Sequence, residues 1–217
     1  MFTILKTFLL DTLFPRNSFE KKISEIDLDT FIKESGRFSI KEWRGITYFF
    51  DYSNIFVRNS IHSLKYKRNK KIALLYGEII FDYLMGELYE ETHTTKNDKT
   101  IITIIPSSKK RLQNRGWNQC ELILSEIKKL DTNNYFEYST RNLIKTKNTE
   151  SQTRMRNKKE REKNVYGSFS IIKPEVFFKK TVILIDDVTT TGSTIKEAGK
   201  IIKNTGAKEV RLITFAH

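Results

Sequence analysis

The stretch Val182 to Thr194, VILIDDVTTTGST, constrains this chain more than any other: four apolar residues run into two adjacent carboxylates and then into a Thr/Gly/Ser turn. An uninterrupted, β-branched run of this length reads as a strand buried on both faces of a parallel sheet. Carboxylates at the carboxyl end of such a strand face the crevice in which open α/β sheets bind ligands. Asp186 and Asp187 offer only acceptors when ionised, so they suit the two hydroxyl hydrogens of a vicinal diol. Gly192 permits close backbone approach, and the free N–H groups of a helix start, together with the hydroxyls of Thr190, Thr191, Ser193 and Thr194, make a cradle for an anion. Asp-Asp or Thr-Thr-Gly alone would be no more than a helix cap or a turn. Set between a strand and a helix, they describe a site for a ribose 5-phosphate.

The remaining sequence supplies a frame for that corner. Thr100 to Ile105 (TIITII), closed by Pro106, reads as a second buried strand and Val210 to Phe215 (VRLITF) as another. A helix over Thr194 to Asn204 between two of these strands makes a parallel crossover unit, so the expected class is α/β with a mostly parallel central sheet flanked by helices. Two helices are expected between Ile55 and Glu90, broken by the basic turn at Lys67 to Lys71. Asn118 is placed to cap a helix reaching about Leu130, with Leu122, Ile123 and Ile127 as its apolar stripe. A short strand is expected near Tyr135 to Ser139, and Ser107 to Gly116 reads as a polar loop. Arg141 to Lys163 shows no apolar face, and a connection that long inside a domain is usually functional. Residues 1–55, with the aromatic group Trp43, Tyr48, Phe49, Phe50 and Tyr52, read as a small N-terminal cap ahead of a domain over 56–217. Phe2, Leu5, Leu9 and Leu13 recur at helical spacing, which makes Met1 to Pro15 a packing helix; Asp11 interrupts it and no small-residue cleavage site follows.

Charge and cysteine usage narrow the partners. The formal net charge is +13, and the excess of Lys and Arg falls beyond residue 60, in Lys65 to Lys71, Lys109 to Arg115 and Arg154 to Lys163. Such clusters are an electrostatic footprint for phosphate-bearing partners, a small molecule or a nucleic-acid backbone, although any one of them alone serves equally as a solubilising surface. Cys120 is the single cysteine, which excludes an intramolecular disulfide and suits a reducing cytoplasm. It reads as an ordinary buried thiol, with no His or acid placed to activate it. With only His62, His93 and His217 besides, no zinc constellation is available. No apolar run approaches the ~20 residues that span a bilayer, so no integral membrane segment is expected.

Val182 to Thr194 resembles the phosphoribosyl-diphosphate (PRPP) signature of type I phosphoribosyltransferases at every fixed position. Three further stretches, Ile61 to Gly77, Ile104 to Ile123 and Thr149 to Phe169, occur in matching order. Together, over about residues 55–217, the chain resembles the ComF family (ComFC- and GntX-like) of phosphoribosyltransferase-like proteins associated with natural transformation. In that family Lys65, Tyr66, the string Arg115 to Gln119 with Asn118, and Gln152, Arg161 and Asn164 are typical. The resemblance implies a type I phosphoribosyltransferase-like fold in which Asp186 and Asp187 serve as catalytic or ribose-binding carboxylates and Thr190 to Thr194 hold the 5-phosphate. It also implies a diphosphate loop that includes Ser107, Ser108, Lys109 and Arg115. Gln152, Arg154, Arg156, Arg161 and Asn164 would belong to a lid that closes over PRPP or to a track for a single-stranded nucleic acid. Mg²⁺ is expected with PRPP, held mainly by its oxygens and water. Many relatives carry an N-terminal zinc module that this chain cannot build, so no zinc is expected.

The implied function is binding of PRPP or a related ribose phosphate together with assistance to single-stranded DNA uptake, alongside a DNA-uptake helicase or channel. The implied location is the cytoplasm or the periphery of the inner membrane. The alternative is an active Mg²⁺-dependent phosphoribosyltransferase with an unidentified acceptor.

Overall fold

The computed structural model describes residues 18–90, 99–146 and 165–217. The expected helix at Met1 to Pro15 and the residues Gln152, Arg154, Arg156, Arg161 and Asn164 lie outside them. The chain opens with α1 (Ser18–Glu25) and α2 (Leu28–Glu34), then a hairpin of β1 (Lys41–Trp43) and β2 (Ile46–Phe50). Two helices follow, α3 (Ile55–Lys67) and α4 (Lys70–Glu90), then β3 (Ile101–Ile104), α5 (Lys109–Arg115), α6 (Gln119–Leu130) and β4 (Glu137–Tyr138). The rest comprises β5 (Leu143–Lys145), β6 (Phe169–Ile171), a 3₁₀ turn at Pro174–Val176, β7 (Thr181–Val188), α7 (Ser193–Lys203) and β8 (Glu209–Ala216).

Six strands form one sheet in the order β1-β2-β8-β7-β3-β4, parallel throughout except for β1 against β2, while β5 and β6 pair antiparallel in a separate ribbon. This is the α/β arrangement with a mostly parallel sheet that the sequence predicts. Its centre is β7, and alternation along that strand explains the unbroken apolar run. Ile183 and Ile185 enter a core shared with Phe31, Ile61, Leu64, Tyr76, Ile123 and Phe215, whereas Val182 and Leu184 enter a second core with Ile195, Ala198 and Ile202 of α7. A strand covered on both faces has no position for a polar residue until it emerges at its carboxyl end. The register Ile104↔Ile185 brings the ends of β3 and β7 side by side, so Pro106 and Ser107 leave the sheet next to Asp186 and Asp187.

Three expectations need correction. The boundary near residue 55 cuts through the sheet, because β2 pairs in parallel with β8 from Ile46↔Leu212 to Phe50↔Ala216. Burying Ile46, Phe49 and Phe50 against the sheet makes residues 41–50 its edge instead of part of a detached cap. Ser107 to Gly116 is not all loop: Ser108 Oγ accepts from Arg111 N at 3.3 Å to start α5, which Gly116 ends in the left-handed region at φ 79°. Finally, the polar stretch after Arg141 contains β5, whose Leu143 is buried beside Phe169. Among the described residues, no helix is long and apolar enough to cross a membrane.

Candidate functional site

The carboxyl ends of β3 and β7 open into a cleft of about 400 Å³. Asp186, Asp187, Thr190, Ser193 and Thr194 line one side of it, Ser107, Arg111 and Arg115 another, and Arg58, His62, Lys65 and Tyr66 of α3 a third. Five basic side chains (Arg58, Lys65, Arg111, Arg115, Lys145) face two carboxylates, so the cleft carries a positive excess that favours an anionic ligand.

Both carboxylates are nearly inaccessible to water, with Asp186 8% and Asp187 2% exposed. Asp187 follows the parity of Ile183 and Ile185 and meets α3, where Lys65 Nζ lies 2.8 Å from its Oδ2. Burial disfavours the Lys65 charge, but the attraction of Asp187 and then Asp186 outweighs it, and the ammonium is held above its ordinary pKa. Asp186 Oδ1 accepts from Asp187 N at 2.9 Å and from the Cys120 thiol at 3.6 Å. Burial, reinforced by the negative charge of Asp187 and opposed by Lys65, raises its carboxyl to about 7. An acid therefore stands beside Cys120, but Cys120 remains the buried, unactivated thiol that the sequence predicts. The effect of the acid is the reverse of activation, since burial and the two carboxylates push the thiol well up.

Not every residue of the signature faces the cleft. Thr191 Oγ1 is 2.8 Å from Ser193 Oγ, and this local pairing shapes the turn. Gly192, at φ 72°, has no side chain because a Cβ would come within 2.8 Å of Ile46 Cδ1 and 3.3 Å of Trp43 Cζ3. The β1–β2 hairpin beneath the turn therefore itself requires glycine here. Gly192 precedes α7 and offers no side-chain cap, Ser193 N donates to Thr191 Oγ1 at 3.4 Å, and this helix start stands beside the hydroxyls of Thr190 and Thr194.

In the loop after β3, Ser107 reaches the cleft, whereas Ser108 is spent on capping α5 and Lys109 lies exposed outside the lining. Asn118 is structural. Its Oδ1 accepts from Cys120 N at 3.1 Å and its Nδ2 donates to Ile105 O at 3.1 Å, tying the start of α6 to the end of β3. Trp117 Nε1 donates to Leu64 O at 3.2 Å and so ties the same loop to α3. Arg115 bridges the two walls, donating to Gln119 Oε1 at 3.4 Å and to the Tyr66 hydroxyl at 3.2 Å, with its guanidinium 4.6 Å from the Tyr66 ring centroid.

The cleft also holds side chains that sequence reasoning passed over. Arg58 and His62 stand at helical spacing on the face of α3 that also carries the expected Lys65 and Tyr66, a signal the sequence contained. Lys145 of β5 had no such signal. Its Nζ lies 5.3 Å from the Phe169 ring centroid, and burial together with Arg111, against the pull of Asp186, lowers its pKa to about 8. Among the described residues, Cys120, Asp186 and Asp187 are the one cluster of three metal-ligating side chains, their ligand atoms all within 4.8 Å of one another.

Residues 140–217 match the Phosphoribosyl transferase domain family. Competence protein F of Haemophilus influenzae is 32% identical over 133 residues, 60% of this chain and 55% of that protein. Competence protein ComFC of Streptococcus pneumoniae is 34% identical over 139 residues, 62% of this chain and 57% of that protein. DNA utilization protein YhgH of Escherichia coli K12 is 24% identical over 152 residues, 70% of this chain and 63% of that protein. The matched stretch thus spans a little over half the length of the two competence proteins.

Proposed function

The chain is a ComF-family, phosphoribosyltransferase-like protein, and we propose that its cleft binds PRPP or a related ribose phosphate and that the protein assists the handling of single-stranded DNA in natural transformation. One observation carries the ligand reading. A buried carboxylate pair and a hydroxyl-lined helix start share a single basic cleft, the spacing of functions that a ribose 5-phosphate presents.

In this reading Asp186 accepts from the ribose hydroxyls. The N–H groups at the start of α7 and the hydroxyls of Thr190, Ser193 and Thr194 take the 5-phosphate, while Ser107, Arg111 and Arg115 meet the diphosphate. Mg²⁺ would neutralise the diphosphate oxygens, with Asp186 as a partner through water. DNA handling draws its support from the names of the relatives and from the basic surface, and it carries a salt signature, because each phosphate contact releases counterions.

The test is calorimetric titration of PRPP with Mg²⁺ into the wild type and into the Asp186→Asn, Asp187→Asn double variant, followed by titration of a single-stranded oligonucleotide over a range of salt. Binding that disappears in the double variant is expected. A wild type that takes up no PRPP overturns the ligand reading, and oligonucleotide binding that is absent or insensitive to salt overturns the DNA component. Release of diphosphate on adding a nucleobase would extend binding to transfer.

A further inference from the structure

Resting on the ribose phosphate reading, we propose that Lys65 is the resident cation of the carboxylate pair, standing where a divalent ion would otherwise sit, so that a ribose phosphate binds at Asp186 and Asp187 without metal. Mg²⁺ then enters only with a ligand that brings its own diphosphate.

Cys120, Asp186 and Asp187 converge within 4.8 Å and are all buried, which by composition and spacing is a place to hold a cation. Carboxylate charge this deep needs a compensating cation, because burying charge without a partner is prohibitive. The structure provides it from α3: Lys65 Nζ is 2.8 Å from Asp187 Oδ2, on a side chain that is itself only 19% exposed. A Mg²⁺ ion bonded to the same carboxylate would sit about 2.0–2.1 Å from its oxygen and would demand near-octahedral ligands, most of them water. That shell and the ammonium cannot occupy one small buried volume, and their like charges repel through a medium of low dielectric.

The position of Lys65 is also fixed rather than adaptable. Its helix is tied at the preceding residue by Trp117 Nε1 to Leu64 O at 3.2 Å, and its ammonium is held by Asp187. An ammonium has three donors and no acceptors, so after pairing with Asp187 it keeps donors for a ligand oxygen in the cleft it lines. Lys65 thereby acts as a positioning residue for Asp187 and leaves Asp186 as the carboxylate that meets the ribose.

The experiment uses ribose 5-phosphate, which lacks the diphosphate that recruits Mg²⁺ on its own account. Calorimetry is run on the full chain in EDTA and in millimolar Mg²⁺, for the wild type, Lys65→Arg and Lys65→Met. The wild type and Lys65→Arg are expected to change less than about twofold in Kd between the two conditions, whereas Lys65→Met should weaken by about tenfold or more in EDTA and recover with Mg²⁺. A second arm measures Mn²⁺ by electron paramagnetic resonance with no ligand added: none bound at the carboxylates of the wild type, one ion bound in Lys65→Met. Mn²⁺ uptake at the carboxylates of the unliganded wild type, or a wild type that needs metal for ribose 5-phosphate, overturns the role of Lys65, and both outcomes are read on the wild type, so they hold even if Lys65→Met fails to fold. A wild type that binds ribose 5-phosphate in neither condition overturns the ribose phosphate reading instead, and the Mn²⁺ arm still decides whether Lys65 excludes a divalent ion.

Discussion

At the β7–α7 corner of the cleft, polar groups are fixed by backbone and burial: Asp187 N donates to Asp186 Oδ1 at 2.9 Å, and Thr189 N donates to Ala216 O at 3.0 Å. On the α3 wall the fixing is done by side chains near water, where Tyr66 is 55% exposed and sits between His62, 4.6 Å away in ring centroids, and the Arg115 guanidinium. The corner inherits its geometry from sheet register and can present its carboxylates in one arrangement only. Apart from Lys65, which Asp187 holds, the wall is assembled from flexible arms that water competes for, so it can re-form around whatever enters. Stability should therefore reside in the corner, and adaptability in the wall.

The largest expected effect is at Asp186, whose buried carboxyl is raised to about 7 in the folded chain against an ordinary 3.8. Between those two values the native protein holds a proton that the unfolded chain has released, so the contribution of this group to stability is full below about pH 4 and is lost as pH rises through about 7. Asn cannot titrate. The wild type should lose stability relative to Asp186→Asn across this window, at up to about 1.4 kcal/mol per pH unit, and the difference should level off above it. Urea denaturation of both proteins from pH 4 to 8 measures it, and parallel curves would show that the corner does not hold its charge as described.

A smaller loss, about 2 kcal/mol, is expected for Gly192→Ala, which combines a left-handed backbone with contact against the packed hairpin. Since the nearest obstacle is Ile46 Cδ1 at 2.8 Å, Ile46→Val should recover part of the loss in the double variant. A Gly192→Ala protein as stable as the wild type would mean that the corner tolerates displacement, and the contrast with the wall would shrink.

The corner was legible in the sequence because local rules specify it. An apolar run of strand length, carboxylates at its end and a Gly-containing turn into a helix each have short-range causes, and TVILIDDV and the helix after Gly192 fall where those causes put them. What was not legible depends on residues far apart in the chain. Parallel pairing of β2 with β8 joins Ile46 to Leu212, and no local pattern in WRGITYFF announces it. The helix α5 is a run of Lys, Arg, Leu, Gln and Asn with no buried residue, so it lacks the apolar stripe by which a helix is read, and only the Ser108 cap hints at it. Lys145 reaches the cleft from β5, a strand set by its pairing with the distant β6, and the pairing of Lys65 with Asp187 joins residues of α3 and β7 far apart in the chain. In the Arg115 to Gln119 string the helix cap at Asn118 was legible, whereas the ties of Asn118 to Ile105 and of Trp117 to Leu64 were not, because their partners lie far off in the chain or across the fold.

The smallest effect belongs to the wall and is the one that separates it from the corner. Tyr66→Phe removes the hydroxyl that accepts from Arg115 Nη2 at 3.2 Å while keeping the ring over which the guanidinium lies. The freed N–H groups turn to water, so no buried donor is stranded, and the change in unfolding free energy should stay within about 0.5 kcal/mol. Among the described residues Arg115 then keeps its long 3.4 Å bond to Gln119 and its place over the ring, and gains freedom to follow a ligand phosphate. Loss of more than about 1 kcal/mol in the same urea experiment would place Tyr66 among the rigid parts of the site, because an exposed neutral hydrogen bond is not worth that much unless its partners are held in place by something other than each other.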